Sequence, residues 1–316
     1  MKRWGFLFPG QGSQAIGMGQ AFADAFPIAQ ETFAEAEDAL GYSLSTLCFE
    51  GPKERLRQTE YTQPAVLTVS VAVERVLRQQ YGSLRPVMVA GHSLGEFSAL
   101  VAAGALTLPD AVRVVRERGR LMQEAVPDGV GAMAAVVGLP LEDVQTICQQ
   151  AAEDEICVPA NINSPQQIVI SGHQAAVERA RSLVREHGKR AISLEVSAPF
   201  HCPLMQPAAD GLAKVLDTID IKDPTFPVVS NVDAQPYQSA DVVRQRLFSQ
   251  VTSPVRWVDS IHTMNEAGIT HYLELGHGRV LSGLLRRISK ERPSLPVGQP
   301  KDLEKLSEWL DTSAST

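Results

Sequence analysis

VMVAGHSLG, residues 87–95, joins a short apolar run to the pattern G-x-S-x-G. The apolar run predicts a buried strand, and the residues that follow predict an apolar helix from Phe97 to about Ala105. Glycines on both sides of the serine allow a turn that is too sharp for side chains. The stretch therefore predicts an α/β fold that presents the Ser93 hydroxyl at the start of a helix.

The predicted position of Ser93 is typical of a nucleophile. At the N-terminus of a helix, the amide of the next residue, Leu94, can donate a hydrogen bond to a developing oxyanion. The five-residue pattern also occurs by chance in unrelated proteins, so a structural tight turn is the alternative interpretation. The strand before the pattern and the helix after it favour the nucleophile.

The regions around this stretch alternate between strand and helix patterns. An aromatic-rich run, RWGFLF (3–8), predicts a buried strand that ends at Pro9-Gly10 in a glycine-rich loop, GQGSQAIGMG (10–19). Further strands are predicted at 226–232 and 271–275, and helices at 64–81 (with Pro64 at the first position), 109–125, 203–218, 255–267 and 279–290. This alternation predicts a mainly parallel sheet covered by helices on both faces.

The middle of the chain has a different order of elements. Strands are predicted at 131–139, 156–162, 166–172 and 190–196, and helices at 141–153 and 174–187. This β-α-β-β-α-β order is the ferredoxin-like pattern. We therefore predict a ferredoxin-like small subdomain at 128–197, inserted into a large catalytic domain formed by 1–127 and 198–316.

Composition and charge argue against several classes of protein. The chain has 316 residues, of which 44% are hydrophobic and 21% are charged, as in ordinary globular proteins. Its net charge of −7 argues against a general nucleic-acid binder. The four cysteines lack the paired spacing of a disulfide or metal site, and no segment reads as a signal peptide or membrane span. We expect a cytoplasmic monomer without a bound metal or cofactor.

His201 is the histidine best placed to act as the base that a serine nucleophile needs. It lies in SAPFHCP (197–203), a non-helical stretch where the chain leaves the predicted subdomain. Loops at such a crossing line interdomain clefts. Four other histidines lie in or beside amphipathic patterns, His92 should point away from Ser93, and His277 is a loop residue. His201 is therefore the predicted base.

Arg118 lies on the apolar face of the predicted helix 109–125. At about 100° per residue, the other arginines of this helix fall in a charged sector, whereas Arg118 falls among alanine, valine, leucine and methionine. A buried guanidinium stays protonated and needs an anion. That anion is either an internal Asp or Glu in a structural ion pair, or a substrate carboxylate bound through two hydrogen bonds. We favour the substrate carboxylate.

The sequence as a whole resembles the malonyl-CoA:acyl-carrier-protein transacylases of fatty acid synthesis and the acyltransferase domains of polyketide synthases. The resemblance covers residues 4–292. It rests on FPGQGSQ, GHSLGE, Arg118-Gly119 followed by MQ, GAMAAVVG, NSPQQIVISG, FHCPLM, SNV, and Q-x-x-x-P-V-x-W from Gln250 to Trp257. It implies an α/β-hydrolase-like core with a ferredoxin-like insertion. One departure is Gly276-His277-Gly278, where many relatives have G-P-G.

The resemblance also implies roles for individual residues. The nucleophile, the base and the residue that binds the substrate carboxylate are, in that order, Ser93, His201 and Arg118. The implied oxyanion donors are the backbone amides of Gln11 and Leu94. The backbone carbonyl of Gln250 is implied to orient the histidine, so the machinery is a dyad without a third, acidic residue.

The implied reaction transfers a malonyl group from malonyl-CoA to the phosphopantetheine thiol of acyl carrier protein, by a ping-pong mechanism through a malonyl-serine. Phe200, just before the histidine, is implied to fill the space that a 2-methyl group would need. The carrier protein is expected to be acidic and to bind transiently. Lys189-Arg190 and Arg286-Arg287 are candidates for its docking site, although a solvated rim is favoured for each.

Other functions fit parts of the sequence. A serine hydrolase fits G-x-S-x-G and the histidine but not the arginine. A nucleotide-binding protein fits G-x-G-x-x-A from Gly10 to Ala15, but no acidic residue ends a second strand and no G-K-[ST] is present. A non-catalytic scaffold is disfavoured, and a free-standing polyketide enzyme is the alternative within the resemblance. The acyltransferase interpretation requires Ser93, Arg118 and His201 to meet in one cavity.

Overall fold

The computed structural model describes residues 2–196 and 198–311. The strands within these residues are β1 Trp4–Phe8, β2 Pro86–Gly91, β3 Gly131–Val137, β4 Cys157–Ser164, β5 Gln167–His173, β6 Arg190–Ser193, β7 Val228–Val229, β8 His271–Leu275 and β9 Ser294–Val297. The first helices are α1 Gln20–Ala25, α2 Pro27–Leu40, α3 Leu44–Phe49, α4 Lys53–Leu56, α5 Thr59–Gln80, α6 Leu94–Ala102 and α7 Leu108–Glu124. They are followed by α8 Leu141–Ala152, α9 Gln174–Glu186, a 3₁₀ turn Pro203–Met205, α10 Gln206–Leu216, α11 Ala240–Gln250, α12 Trp257–Glu266, α13 Val280–Ile288 and α14 Asp302–Asp311. None of these helices combines the length and the apolar character needed to cross a bilayer.

The larger sheet is parallel and has the strand order β7-β2-β1-β8-β9. Every residue of β1 is buried, which explains why RWGFLF reads as a continuous apolar run. Strands β1 and β2 pair in a register that places Phe8 opposite Gly91. The loops that follow these two strands therefore leave the sheet side by side, and they carry Gln11 and Ser93. The predicted α/β fold with a mainly parallel sheet is confirmed.

The smaller sheet is antiparallel and has the strand order β4-β5-β3-β6. Helices α8 and α9 alternate with its strands along the chain, as the β-α-β-β-α-β pattern requires. Its apolar residues form a cluster of their own, distinct from the main core of the large sheet. The predicted ferredoxin-like unit is confirmed, whereas its limits at 128 and 197 stay a prediction.

The start of α5 differs from the sequence prediction. The helix begins at Thr59, and Pro64 lies inside it instead of at its first position. Proline there lacks only its own amide hydrogen, so the helix loses the single bond to the Glu60 carbonyl, and the Thr62 amide still donates to the Gln58 oxygen at 2.8 Å. Contacts with α7 hold this extra turn: a Cβ on Gly119 would lie 2.5 Å from the Thr59 carbonyl oxygen, and the Glu60 amide donates to Gln123 Oε1 at 2.9 Å. Tertiary packing therefore overrides the local proline signal.

Two further boundaries differ beside the predicted nucleophile. Helix α6 begins at Leu94, three residues before the predicted Phe97. Strand β7 is limited to two residues, although the apolar pattern predicted a strand over 226–232. The chain leaves the sheet there because the backbone N–H of Asn231 donates to the Glu96 carboxyl group instead of to a neighbouring strand. Both differences involve the first turn of α6, which begins directly after Ser93 and binds the backbone of Asn231.

Candidate active site

Ser93 occupies a strained turn between β2 and α6. Its backbone has φ 50° and ψ −106°, in a region that residues with side chains rarely adopt. The flanking glycines are required by close packing. A Cβ on Gly91 would lie 1.8 Å from the Gly95 backbone, and a Cβ on Gly95 would lie 2.0 Å from the Phe8 carbonyl oxygen. The sequence pattern G-x-S-x-G therefore corresponds to the sharp turn that presents a serine hydroxyl at a helix N-terminus.

His201 is distant from Ser93 in the sequence but lies within hydrogen-bond distance of it in the fold. The Ser93 Oγ to His201 Nε2 distance is 2.8 Å, and His201 Nδ1 lies 2.9 Å from the Gln250 backbone oxygen. A carbonyl oxygen only accepts, so the Nδ1 atom carries the proton and Nε2 is free to accept from the serine hydroxyl. His201 also has a positive φ of 59°. The histidine tautomer is therefore the one that a general base requires.

Burial keeps the imidazole neutral. Desolvation, together with the nearby charge of Arg118, lowers the pKa of His201 to about 3. The hydrogen bond to the Gln250 carbonyl acts in the opposite direction but is the weaker effect. The base is therefore unprotonated at physiological pH and does not need to lose a proton before it can act.

This depressed pKa predicts an unusual pH profile. We expect kcat/KM for acyl-CoA substrates to lack the acid limb near pH 6.5 that an ordinary histidine base produces, because His201 stays neutral above about pH 4. The measurement is the initial rate of CoA release between about pH 5 and 8, with circular dichroism to verify folding. Buried Glu96, whose pKa is raised to about 7, also titrates in this range, so the profile is repeated with Glu96→Gln. An acid limb near pH 6.5 that persists in this variant contradicts the assignment.

Arg118 is buried in contact with Ser93. Its side chain comes from α7, is only 2% exposed, and lies with its guanidinium carbon 5.5 Å from the centre of the Phe97 ring. It donates to Ser93 Oγ at 3.1 Å, to Gln63 Oε1 at 2.8 Å and to Gln250 Oε1 at 2.9 Å. All three acceptors are uncharged. The structure thus does not support the alternative of a direct ion pair with an internal Asp or Glu.

The other arginines of α7 contrast with Arg118. Arg113, Arg116 and Arg120 have side chains that are 39–56% exposed and pair with acidic residues near the surface. Exposed pairs of this kind cost little to form and contribute little to stability. Burial of Arg118 lowers its pKa to about 10, which leaves the guanidinium protonated at neutral pH. A fixed positive charge without a direct counter-ion therefore faces the serine.

Six of the seven predicted site residues line one cavity of about 360 Å³ between the large and small sheets, and the seventh, Gln250, is not among its lining residues. Its lining residues are Gln11, Gly12, Gln14, Gln63, His92, Ser93, Leu94, Arg118, Met122, Met133, Asn161, Leu194, Glu195, Val196, Phe200 and His201. Ser93, Arg118 and His201 thus converge, as the acyltransferase interpretation requires. Phe200, which is 8% exposed, adds an aromatic wall next to the histidine. Among the described residues, no cluster of three or more His, Cys, Asp or Glu side chains could hold a metal ion.

Two backbone amides of the cavity are available as donors. Within the described residues, the amides of Gln11 and Leu94 have no hydrogen-bond partner. The loop that carries Gln11 packs closely on the serine turn, since a Cβ on Gly10 would lie 2.3 Å from the His92 carbonyl oxygen. The His92 side chain turns toward Asn163 of β4, with 2.8 Å between Nε2 and Oδ1. This arrangement leaves the space beside Ser93 open to an acyl carbonyl oxygen.

Sequence reasoning missed three polar side chains that hold this arrangement. Gln63 and the Gln250 side chain both accept hydrogen bonds from Arg118, and Glu96 accepts one from Gln250 Nε2 at 2.6 Å. The available signal was a polar residue on an otherwise apolar helix face. Glu96 in LGEFSALVA and Gln63 beside PAVLTVSVAV both fit that signal.

Comparisons with known proteins agree with the fold. A family model described as an acyl transferase domain matches residues 5–291. The malonyl CoA-acyl carrier protein transacylase of Escherichia coli (strain K12) is 50% identical over 301 residues, covering 95% of this chain and 97% of the relative. Its counterpart in Bacillus subtilis (strain 168) is 47% identical over 306 residues, covering 96% of both chains.

Two solved structures are similar along almost their whole length. The malonyl CoA-acyl carrier protein transacylase from Coxiella burnetii has a TM-score of 0.95 and 45% identity, with 96% of each chain covered. A type II PKS acyl-carrier protein in complex with its malonyl-transacylase gives a TM-score of 0.93 and 47% identity, covering 96% of this chain and 98% of that one. The protein is therefore an acyltransferase, and it belongs to the acyl transferase family that includes the malonyl CoA-acyl carrier protein transacylases.

Proposed function

We propose that the protein transfers a malonyl group from malonyl-CoA to the phosphopantetheine thiol of acyl carrier protein, through a malonyl ester of Ser93, and so supplies extender units for fatty acid synthesis. One observation carries the proposal: Ser93 Oγ lies 2.8 Å from a neutral imidazole nitrogen and 3.1 Å from a buried guanidinium nitrogen. The names of the relatives from Escherichia coli and Bacillus subtilis support the same reaction.

The first half of the reaction acylates the serine. His201 Nε2 takes the hydroxyl proton as Ser93 Oγ forms a bond to the thioester carbonyl carbon. The negative charge on the carbonyl oxygen is stabilised by the amides of Gln11 and Leu94. The carbon–sulfur bond then breaks, and the CoA sulfur leaves with the proton from His201.

The second half transfers the acyl group to the carrier protein. The phosphopantetheine thiol gives its proton to His201 Nε2 and attacks the serine ester, again through an oxyanion at the two amides. The carbon–oxygen bond breaks, and His201 returns the proton to Ser93 Oγ. Water in the same position would give free malonate, so transfer to the carrier requires that water be kept away from the serine ester.

Arg118 selects the acyl group. We infer that the malonyl carboxylate binds its guanidinium, because Gln63 and Gln250 hold that group beside Ser93 without neutralising its charge. An acetyl group leaves the buried charge without an anion, which is a stronger penalty than the loss of apolar contact. Phe200 borders the same space, and we infer that it disfavours a 2-methyl substituent.

A mass measurement tests the intermediate. Brief exposure of the protein to malonyl-CoA should add the mass of one malonyl group, and peptide mapping should place it on Ser93. Subsequent addition of holo-acyl carrier protein should move the group to the carrier and restore the unmodified mass. A modified peptide elsewhere would refute the proposal. Release of free malonate at the same rate with and without carrier protein would identify a hydrolase instead.

A further inference from the structure

Glu96 is a buried acidic residue that the proposed reaction does not use. It lies on the first turn of α6, three residues after Ser93, and is 0% exposed. Its Oε2 atom accepts from Gln250 Nε2 at 2.6 Å and from the Asn231 amide at 3.1 Å, and its Oε1 atom accepts from the Tyr237 hydroxyl. A fully buried carboxylate needs hydrogen-bond donors of this kind, but such donors are also found in parts of the fold far from Ser93. Its position next to the predicted nucleophile calls for a specific explanation.

Gln250 links Glu96 to the reacting groups. Its side-chain nitrogen donates to Glu96 Oε2 and to the Ser93 backbone oxygen, the latter at 3.1 Å. Its side-chain oxygen accepts from Arg118 Nη2, and its backbone oxygen accepts from His201 Nδ1. One glutamine thus contacts the serine, the base and the arginine. The orientation of its side-chain amide decides whether Arg118 faces an acceptor.

The carboxyl group of Glu96 and the Ser93 backbone oxygen both accept from Gln250 Nε2, and together they permit only one orientation of that amide. If the Gln250 amide were reversed, its NH₂ group would face the donor Nη2 of Arg118, and its oxygen would face both Glu96 Oε2 and the Ser93 backbone oxygen. All three contacts would then be repulsive in a buried site, and the shortest of the three hydrogen bonds that they replace is the one to Glu96. The backbone N–H of Asn231 can only donate. The atom of residue 96 at the Oε2 position must therefore remain an acceptor, whether or not the other oxygen carries a proton.

We propose that Glu96 is a positioning residue: together with the Ser93 backbone oxygen, it holds the Gln250 amide with its oxygen toward Arg118 and thereby supports the preference for carboxylate-bearing acyl groups. This inference rests on the proposed function, because it assumes that Arg118 binds the acyl carboxylate. It assigns Glu96 no contact with the substrate and no proton transfer.

Two substitutions of Glu96 separate the effect of its side-chain length from that of its carboxyl group. Glu96→Gln keeps the length of the side chain, and the Asn231 amide forces its oxygen to the Oε2 position, where it still accepts from Gln250. Tyr237 can accept from the new NH₂ group. Glu96→Asp keeps the carboxyl group but withdraws it by one methylene, so the hydrogen bond to Gln250 is lost. If positioning is the role, the glutamine variant should resemble the wild type and the aspartate variant should not.

The readout is the ratio of kcat/KM for malonyl-CoA to that for acetyl-CoA, measured by CoA release in the same preparation. This ratio does not change with the fraction of active protein, so a merely structural role would not move it. We expect Glu96→Asp to lower the ratio about tenfold or more, and Glu96→Gln to keep it within about threefold. Gln250→Met, which removes the acceptor for Arg118 but keeps the backbone oxygen for His201, should lower the ratio as Glu96→Asp does.

Glu274 provides the matched control. It is also 0% exposed in the large sheet, and it accepts from the amides of Leu281 and Ser282, outside the cavity. Glu274→Asp should lower the thermal midpoint and leave the ratio unchanged. A wild-type ratio in Glu96→Asp would overturn the inference, as would an equal loss in Glu274→Asp. If Glu96→Asp does not fold, a wild-type ratio in Gln250→Met overturns it.

The outcome for the wild type separates this inference from the proposed function. A wild-type protein without preference for malonyl-CoA would refute the proposed function, and the role of Glu96 with it. A strong wild-type preference that survives both Glu96→Asp and Gln250→Met would refute only the role of Glu96.

Discussion

Replacement of Ser93 by alanine should lower CoA release from malonyl-CoA by about 10,000-fold or more, since the proposed reaction has no other acceptor for the acyl group. His201→Ala should have a comparable effect, because Ser93 Oγ then has no base within reach. In the proposed reaction the two residues act as one unit, so the double variant should be no slower than Ser93→Ala alone. The measurement is the initial rate of CoA release, with intact mass to detect any acyl adduct.

Ser98→Ala is the control for the loss of a hydroxyl group. Ser98 lies on the same helix, α6, is 0% exposed, and its Oγ has no hydrogen-bond partner among the described residues. Its replacement removes an unsatisfied polar group and should leave the rate within about twofold of the wild type. An acyl adduct on Ser93→Ala, or a double variant far slower than either single variant, would contradict a serine–histidine unit.

The sequence predicted the parts of the fold that depend on local patterns. The alternation of strands and helices gave the parallel sheet, and the β-α-β-β-α-β order gave the second sheet. GHSLG predicted the sharp turn, because only glycine lets neighbouring backbone come as close as it does at Gly91 and Gly95. Arg118 was recognised because a charge on an apolar helix face is costly in any fold. These inferences require only the identity of neighbouring residues.

The sequence could not predict contacts that depend on distant packing. The hydrogen bond between Gln250 and Glu96 joins residues 154 positions apart, and no periodicity in either helix indicates it. The extra turn of α5 before Pro64 exists because α7 packs on it through Gly119. In both cases the feature depends on a residue that only the tertiary structure brings close. The local sequence therefore predicts a later start for α5 and gives no indication of the Gln250–Glu96 hydrogen bond.

Arg118→Ala should abolish the preference for malonyl-CoA while leaving the reaction of acetyl-CoA within about threefold of the wild type. Truncation of one partner of a buried charge pair costs about 3–5 kcal/mol, which corresponds to a loss of about 100-fold or more in kcat/KM for malonyl-CoA. The acetyl reaction depends on the contact between Ser93 and His201, which the substitution does not remove. Rates of CoA release from both substrates, measured on the same preparation, give the selectivity ratio.

Arg120→Ala separates this effect from a general change in α7. Arg120 lies two residues further along the helix, has a side chain that is 39% exposed, and pairs with Glu117 and Glu124 at the surface. Exposed pairs contribute little, so its removal should leave both the selectivity ratio and the rate near those of the wild type. Equal malonyl selectivity in Arg118→Ala and wild type would mean that the acyl carboxylate binds elsewhere.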